Sequence, residues 1–299
     1  MTPDLQKKNH LVAYIVLIFA EIFWGISFVW TKELLNDGFD VVLILTVRLI
    51  ISALILLGFA TLTKQIEPIR KSDYKLFFLL AFFEPFLYFL SENYGLKFVD
   101  ASYAAILIAI IPVIVPFGLR IFYKERITPM VLIGVTISII GVAIISISNG
   151  LQGNFSLIGL ILLMVSVLSA VGYNIVLYKL LSYKPITIII WQNIISAVLY
   201  IPILLSMQSV ESILGMNWSV KAIFYMSMLA ILCSSLAFMA FSFAAKRIQI
   251  AKASAFTNLI PIFTIIFALM IGQETITLAK AIGMIIVIAG VFASQIRKK

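Results

Sequence analysis

The sequence predicts an all-α integral membrane protein: ten transmembrane helices in two inverted five-helix repeats, residues 1–150 and 151–299, with both termini in the cytoplasm. Three observations carry that prediction. Hydrophobic residues make up 63% of the chain and charged residues only 12%, with a mean hydropathy of +1.14. A soluble domain carries roughly 25% charged residues. Next, Pro112, Glu125, Thr128, Gly134 and Gly141 recur in order as Pro261, Glu274, Thr277, Gly283 and Gly290, at a constant offset of 149 in a chain of 299. Lys97, Ala104, Ile133 and Val142 recur as Lys246, Ala253, Ile282 and Val291 at the same offset. Unlike residues in strict register are the mark of an internal duplication. The third observation is the placement of Lys and Arg, taken up below.

A spanning helix needs about 20 mostly apolar residues. Ten segments qualify: 11–31, 41–63, 75–95, 101–122, 128–148, 156–178, 185–206, 219–244, 250–271 and 277–296. Lys7 and Lys8 ahead of the first imitate a signal peptide, but the run carries Glu21, continues through Trp24 to Trp30 and lacks a small-residue cleavage site. It reads as a retained span. Connections are short except around 207–218, so neighbours form antiparallel hairpins.

Lysine and arginine concentrate in cytoplasmic loops. With the N-terminus inside, seventeen face the cytoplasm, from Lys7 through Arg126 and Lys246 to Lys299. Four (Lys32, Lys97, Lys221 and Lys280) face outward, and Arg48 stays within a span. The formal net charge of +9 therefore reflects orientation rather than a nucleic-acid partner. Five spans per copy is an odd number, so the second copy enters the membrane opposite to the first. Two halves related in that way can open a central site alternately to each side.

The front of each copy is preserved more loosely. Trp24-Gly25-x-Ser27 corresponds to Val171-Gly172-x-Asn174, and Lys32 to Lys179. Ile50 to Ala53 reappear as Ile194 to Ala197, which sets Arg48 against Gln192. Divergence at polar positions fits two halves that share packing and give different groups to one site.

Trp24, Gly25 and Phe28 in the first span, Arg48 at the start of the second and the doubled Pro…Glu-x-x-Thr…Gly…Gly resemble the EamA branch of the drug/metabolite transporter superfamily. The resemblance covers essentially the whole chain. It implies a ten-helix, 5+5 inverted-repeat carrier with a central cavity, moving amino acids, sugars, nucleotide conjugates or other small metabolites.

Charges inside spans are costly and usually face a cavity or a partner. Glu21, Arg48, Glu84 and Glu92 qualify, either as ion pairs fixing spans one to three or as groups that meet substrate or a proton. Glu84, about nine residues into its span and followed by Pro85, suits a group that takes up a coupling proton or meets a substrate ammonium. Trp24, Tyr88, Tyr173 and Trp191, with the polar Ser27, Asn174, Gln192 and Asn258, are expected to line the same cavity. Trp30 reads as an interfacial belt residue. Pro112 and Pro261, each about eleven residues into a span, are expected to kink their helices as paired hinges or static bends. The glycines seven apart read as close helix packing, and Thr128 and Thr277 as N-caps.

Enzyme classes fit poorly. The single His10 removes His-based triads and most metal sites, Cys233 is alone, and all five aspartates lie in loops or at a terminus. There is no H-E-x-x-H, G-x-S-x-G or Walker loop. No cofactor is expected. The function read from the sequence is a secondary transporter of small polar organic metabolites, amino-acid-like ones favoured, working by alternating access in the cytoplasmic membrane. The alternative is a non-transporting scaffold or lipid-binding protein on the same fold. Expected partners are the small-molecule substrate, a coupling proton or exchanged solute and the bilayer, with a homodimer open.

The charge count generates a test. In a Cys233→Ser background, single cysteines at positions 126 and 217 are expected to react with an impermeant thiol reagent from opposite sides of the membrane. Labelling from one side would end the inverted-repeat reading.

Overall fold

A computed structural model describes residues 3–95, 97–98, 107–148, 156–271 and 276–296. Asp100, Ala104, Glu274 and the basic tail from Arg297 to Lys299 lie outside them. The described residues are helical, with no strand. Eight helices are long and apolar enough to cross a membrane. These are α1 (Pro3–Asn36), α2 (Val41–Leu62), α3 (Lys71–Gly95), α6 (Leu157–Leu180), α7 (Pro185–Met207), α8 (Val220–Ile248), α9 (Ile250–Met270) and α10 (Leu278–Gln295). Between α3 and α6 lie two further apolar helices, α4 (Ile111–Tyr123) and α5 (Pro129–Ser148).

Their ends follow from side chains that complete orphan backbone groups. Asp40 caps α2 by accepting from Val42 N at 2.8 Å. Ser219 does the same for α8 from Ala222 N, and Thr277 for α10 from Lys280 N. The long connection before α8 is not bare loop: it holds a short helix, Val210–Leu214, capped by Ser209.

Most outward faces are apolar. Leu54, Leu62, Ile121, Ile285 and Phe292 are all exposed, as lipid contact allows and water would not. Without a hydrophobic drive between helices, close packing must hold the bundle. The closest packing is between α5 and α10. Gly134 meets Gly290 and Gly141 meets Gly283, so the two helices run antiparallel. A methyl on Gly290 would sit 2.6 Å from the carbonyl of Gly134, and one on Gly283 2.8 Å from that of Gly141. Exchanging each glycine for its repeat counterpart returns the same pair of contacts, the signature of a twofold, self-complementary interface.

The wider packing has the same property. Helix α2 lies on α7; α1 lies on α8 and α9, while α6 lies on α3 and α4; α2 meets α8 as α7 meets α3. Replacing every helix by the one five places on leaves that pattern unchanged. Even the irregular turns correspond. A π-type segment, Phe82–Leu87, interrupts α3, and another, Leu229–Ala237, interrupts α8. Adding 149 to Glu84 and Pro85 lands on Cys233 and Ser234, inside the second.

The two ends of the bundle are tied differently. At one, Tyr183 Oη donates to Asp73 Oδ2 at 2.6 Å and accepts from Arg70 N, while Lys184 N donates to Glu67 Oε2 at 2.7 Å. At the other, Phe39 meets Trp218 edge-on at 5.0 Å, and Lys221 pairs with Glu33 at 2.7 Å.

Gly290→Leu is expected to lower stability by about 1–3 kcal/mol through overpacking, because the atoms it strikes are backbone. Thermal unfolding in detergent measures this. Exposed Ile285→Leu on the same helix should leave the midpoint unchanged.

Candidate functional site

The site begins at the break in α3. A proline lacks the amide that would bond the carbonyl four residues back. For Pro85 that carbonyl belongs to Ala81, and Ser196 Oγ of α7 donates to it at 2.8 Å. Ser169 of α6 donates to Phe83 O at 2.6 Å, and the buried Tyr200 to Phe86 O at 2.6 Å. In hydrocarbon no water could serve these carbonyls. Glu84 sits at the break in extended geometry (φ −148, ψ 129), half-buried.

Past the break, Tyr88, Phe89 and Glu92 are presented to the centre. Tyr88 Oη donates to Glu92 Oε1 at 2.8 Å. The Phe89 ring stands edge-on to Tyr88 at 5.3 Å and carries the Arg48 guanidinium 5.0 Å from its centroid. Phe89 also meets Phe238, whose buried ring is the hub of the cluster: Trp24 lies 5.2 Å and Tyr173 6.1 Å from its centroid. Side chains of α1, α2, α3, α6 and α8 therefore converge on one aromatic core with an arginine and a carboxylate at its edge.

Arg48 is 3% exposed and Glu92 likewise, yet they form no ion pair. The sequence left Arg48 to choose among Glu21, Glu84 and Glu92. Instead its Nε donates to Ser234 Oγ at 2.7 Å, in the broken turn of α8. One turn along α2, Ser52 meets Ser235 and accepts from Asn193 Nδ2 at 2.7 Å; that amide also reaches Ser234 O at 3.1 Å. The Asn193 amide of α7, on Ser234 O, and the turn's own Ser235 hydroxyl, on Ala230 O, thus serve carbonyls of the second break as serines and a tyrosine serve those of the first.

Several buried polar atoms have no hydrogen-bond partner among the described residues: Arg48 Nη2, Trp24 Nε1, both oxygens of Glu21 and both polar atoms of Gln192. Buried polar groups are almost always bonded, so these atoms are the candidates for contact with a polar solute.

Of the residues expected to line a cavity, Trp24, Arg48, Tyr88, Glu92 and Tyr173 come together. Ser27 and Asn174 are spent on their own helices, bonding Trp24 O and Ala170 O, although Asn174 Oδ1 stays unpartnered. Asn258 lies elsewhere, donating to Ser138 between α9 and α5. Trp191 is a correction: it is 37% exposed on the outer face of α7, in line with Val198 and Leu205, because consecutive helix residues point about 100° apart and Gln192 takes the inward direction. Pro112 and Pro261 each follow an irregular turn inside an apolar span, residues 109–110 before the first and the 3-10 turn Ala255–Leu259 within α9 before the second, and each stands second in the regular helical stretch that follows. Phe89, Phe238, Ser234 and Ser235 were not singled out. For the serines the available signal is the alignment of Ser234 with Pro85 and of Ser235 with Phe86.

The EamA-like transporter family matches the chain twice, over residues 11–147 and 157–294. The chain belongs to this family. An uncharacterized transporter of Archaeoglobus fulgidus is 25% identical over 281 residues, covering 93% of this chain and 97% of its own. The Bacillus subtilis transporters YcxC and YdfC are 28% and 26% identical, covering 98% and 82% of this chain and 95% and 78% of theirs. A crystal structure with 12% identity superposes with a TM-score of 0.77 over 94% of this chain and 95% of its own, which speaks to fold alone. Membership in the EamA-like family, with these apolar helices, makes the protein a multi-pass membrane transporter. Its relatives carry transporter names rather than enzyme names.

Ser196→Ala, which orphans the carbonyl of Ala81, is expected to cost about 1–3 kcal/mol. Ser206→Ala, at an exposed residue bonded only within its own helix, should cost almost nothing. Thermal denaturation of both variants separates the two effects.

Proposed function

We propose that this EamA-like protein is a secondary transporter of small polar organic solutes, amino-acid-like ones foremost, working by alternating access between two inverted halves in the cytoplasmic membrane. The observation that carries the reading is the pair Arg48 and Glu92, opposite charges buried beside one aromatic core and bonded to Ser234 and Tyr88 rather than to each other. Isolated buried charges are costly unless paired. A zwitterion supplies both complements: its carboxylate suits the free Nη2 of Arg48, and its ammonium suits Glu92 or Glu84. Trp24, Phe89 and Phe238 offer the ammonium ring faces and the side chain an apolar wall.

Alternating access is supported by the packing pattern that maps onto itself and by the antiparallel α5–α10 pair. Breaks at corresponding points of α3 and α8 are places where each helix can bend without tearing a regular ladder. The ties at the two ends, Tyr183 to Asp73 and Phe39 to Trp218, are the contacts that part in turn. With no nucleotide-binding motif in the sequence, the drive is a gradient of solute or of protons. Glu84, half-buried at the break, is the group assigned to the proton.

Proteoliposomes test this. Uptake of labelled amino acids by the wild type is expected to fall at least about tenfold in Arg48→Gln, since truncating one partner of a buried charged bond costs about 2–5 kcal/mol. Glu84→Gln should remain folded and lose the pH dependence of transport. Wild-type pH behaviour in that variant would make Glu84 structural and pass the proton to Glu21. A folded wild type that moves no amino acid, sugar or nucleoside would favour the scaffold reading.

A further inference from the structure

At the basic end of the bundle, away from the aromatic core, α4, α5, α6, α8 and α9 leave a cavity of about 180 Å³. We propose that it binds a phosphate group, as the monoester or inorganic ion or as the phosphodiester of an anionic phospholipid.

Its charged lining is Arg126, Lys246, Arg247 and Glu125, three cations against one carboxylate. The carboxylate is already engaged: Tyr178 Oη donates to Glu125 Oε1, and the Tyr178 ring is stacked on Tyr123 at 4.4 Å. The cations are held but not neutralised. The Arg247 guanidinium carbon stands over the Phe243 ring, 3.4 Å from its centroid, with Nη1 donating to the Phe243 carbonyl. Lys246 Nζ rests 3.4 Å from Ser182 O, a neutral acceptor. Arg126 is exposed at the rim and enters none of the ion pairs among the described residues. All three cations therefore keep donors that an oxyanion can use, and arginine presents them in the forked geometry that phosphate matches. The lining runs through Thr128 to Val131, the start of the 20-residue α5, whose positive end adds to the field.

Size and surroundings agree. At about 30 Å³ per water in the liquid, the cavity holds a handful of waters, or one phosphate with its ester oxygens. Just beyond it, the outward face of α4 exposes Phe117, Ile121 and Phe122, the last two at 76% and 65%. A headgroup seated among the cations would lay its acyl chains along that face. Basic clusters at the end of a bundle attract anionic lipid by about 1 kcal/mol per cation.

The test uses full-length protein in detergent and three probes: phosphatidylglycerol, phosphatidylcholine and inorganic phosphate, read by native mass spectrometry and by the unfolding midpoint. Phosphatidylglycerol, but not phosphatidylcholine, is expected to bind and raise the midpoint. In Arg126→Gln/Lys246→Gln/Arg247→Gln that binding should weaken about 100-fold, the value of losing most of three near-surface charges. Arg120→Gln/Lys124→Gln removes exposed charge from the same end without touching the cavity lining, and should respond like wild type. If inorganic phosphate reproduces the shift, the ligand is a soluble phosphate; if only the lipid does, it is the headgroup. A triple variant that keeps the full shift overturns the site. So does a control variant that loses as much, or a wild type that responds to neither anion.

Discussion

Pro85 withholds the amide that would have bonded the carbonyl of Ala81, and hydroxyls on two neighbouring helices take up the consequences. Much of the centre depends on that substitution of side chain for backbone. Ser169 on α6 and Ser196 and Tyr200 on α7 must face α3 at fixed heights, which sets how those helices pack on it. With the break secured, the next turn carries Tyr88, Phe89 and Glu92 toward Arg48. The break in α8 has no proline, and its π-type turn is completed by its own Ser235 hydroxyl on Ala230 O and by Asn193 on Ser234 O. The polar residues of these spans serve the backbone first; what remains unpartnered is the smaller set that can serve a solute.

That ordering explains why Arg48 bonds a serine. A guanidinium in an apolar bundle needs an oxygen close by, and Ser234 is offered by an irregular turn that must present polar atoms anyway. Glu92 has its own donor in Tyr88, on the same face one turn back. Each charge is therefore partly stabilised without consuming the other. A direct pair would be self-satisfied and indifferent to solute.

Elements resting on rare residues in register were legible in the sequence. Glycines seven apart, repeated at the same offset, announced a close helix contact, and α5 and α10 make it with each other. Thr277 was legible as a cap because a hydroxyl before an apolar run has few other uses. Legibility failed where the answer depends on azimuth. Hydropathy places Trp191 at the right depth but cannot say which way it points, since that is fixed by the partner helix and not by the residue. Phe238 was hidden for a related reason: in an apolar span any phenylalanine looks like packing until three other rings are found around it. The prolines marked the right places for another reason: each stands where a regular helix resumes after an irregular turn within an apolar span.

The α5–α10 pair has a mechanical corollary. It is stitched backbone to backbone and touches the remaining bundle chiefly through α4 and α9. Its outward flank, with Ile133, Ile140 and Ile147 on one helix and Ile285 and Phe292 on the other, lies against lipid. Lateral pressure from the bilayer on that flank loads a stiff two-helix strut, and the strut passes the load to α4 and α9. Any displacement of that pair would reach the aromatic core through α4 and α9, which pack directly on α6 and α1, the carriers of Tyr173 and Trp24.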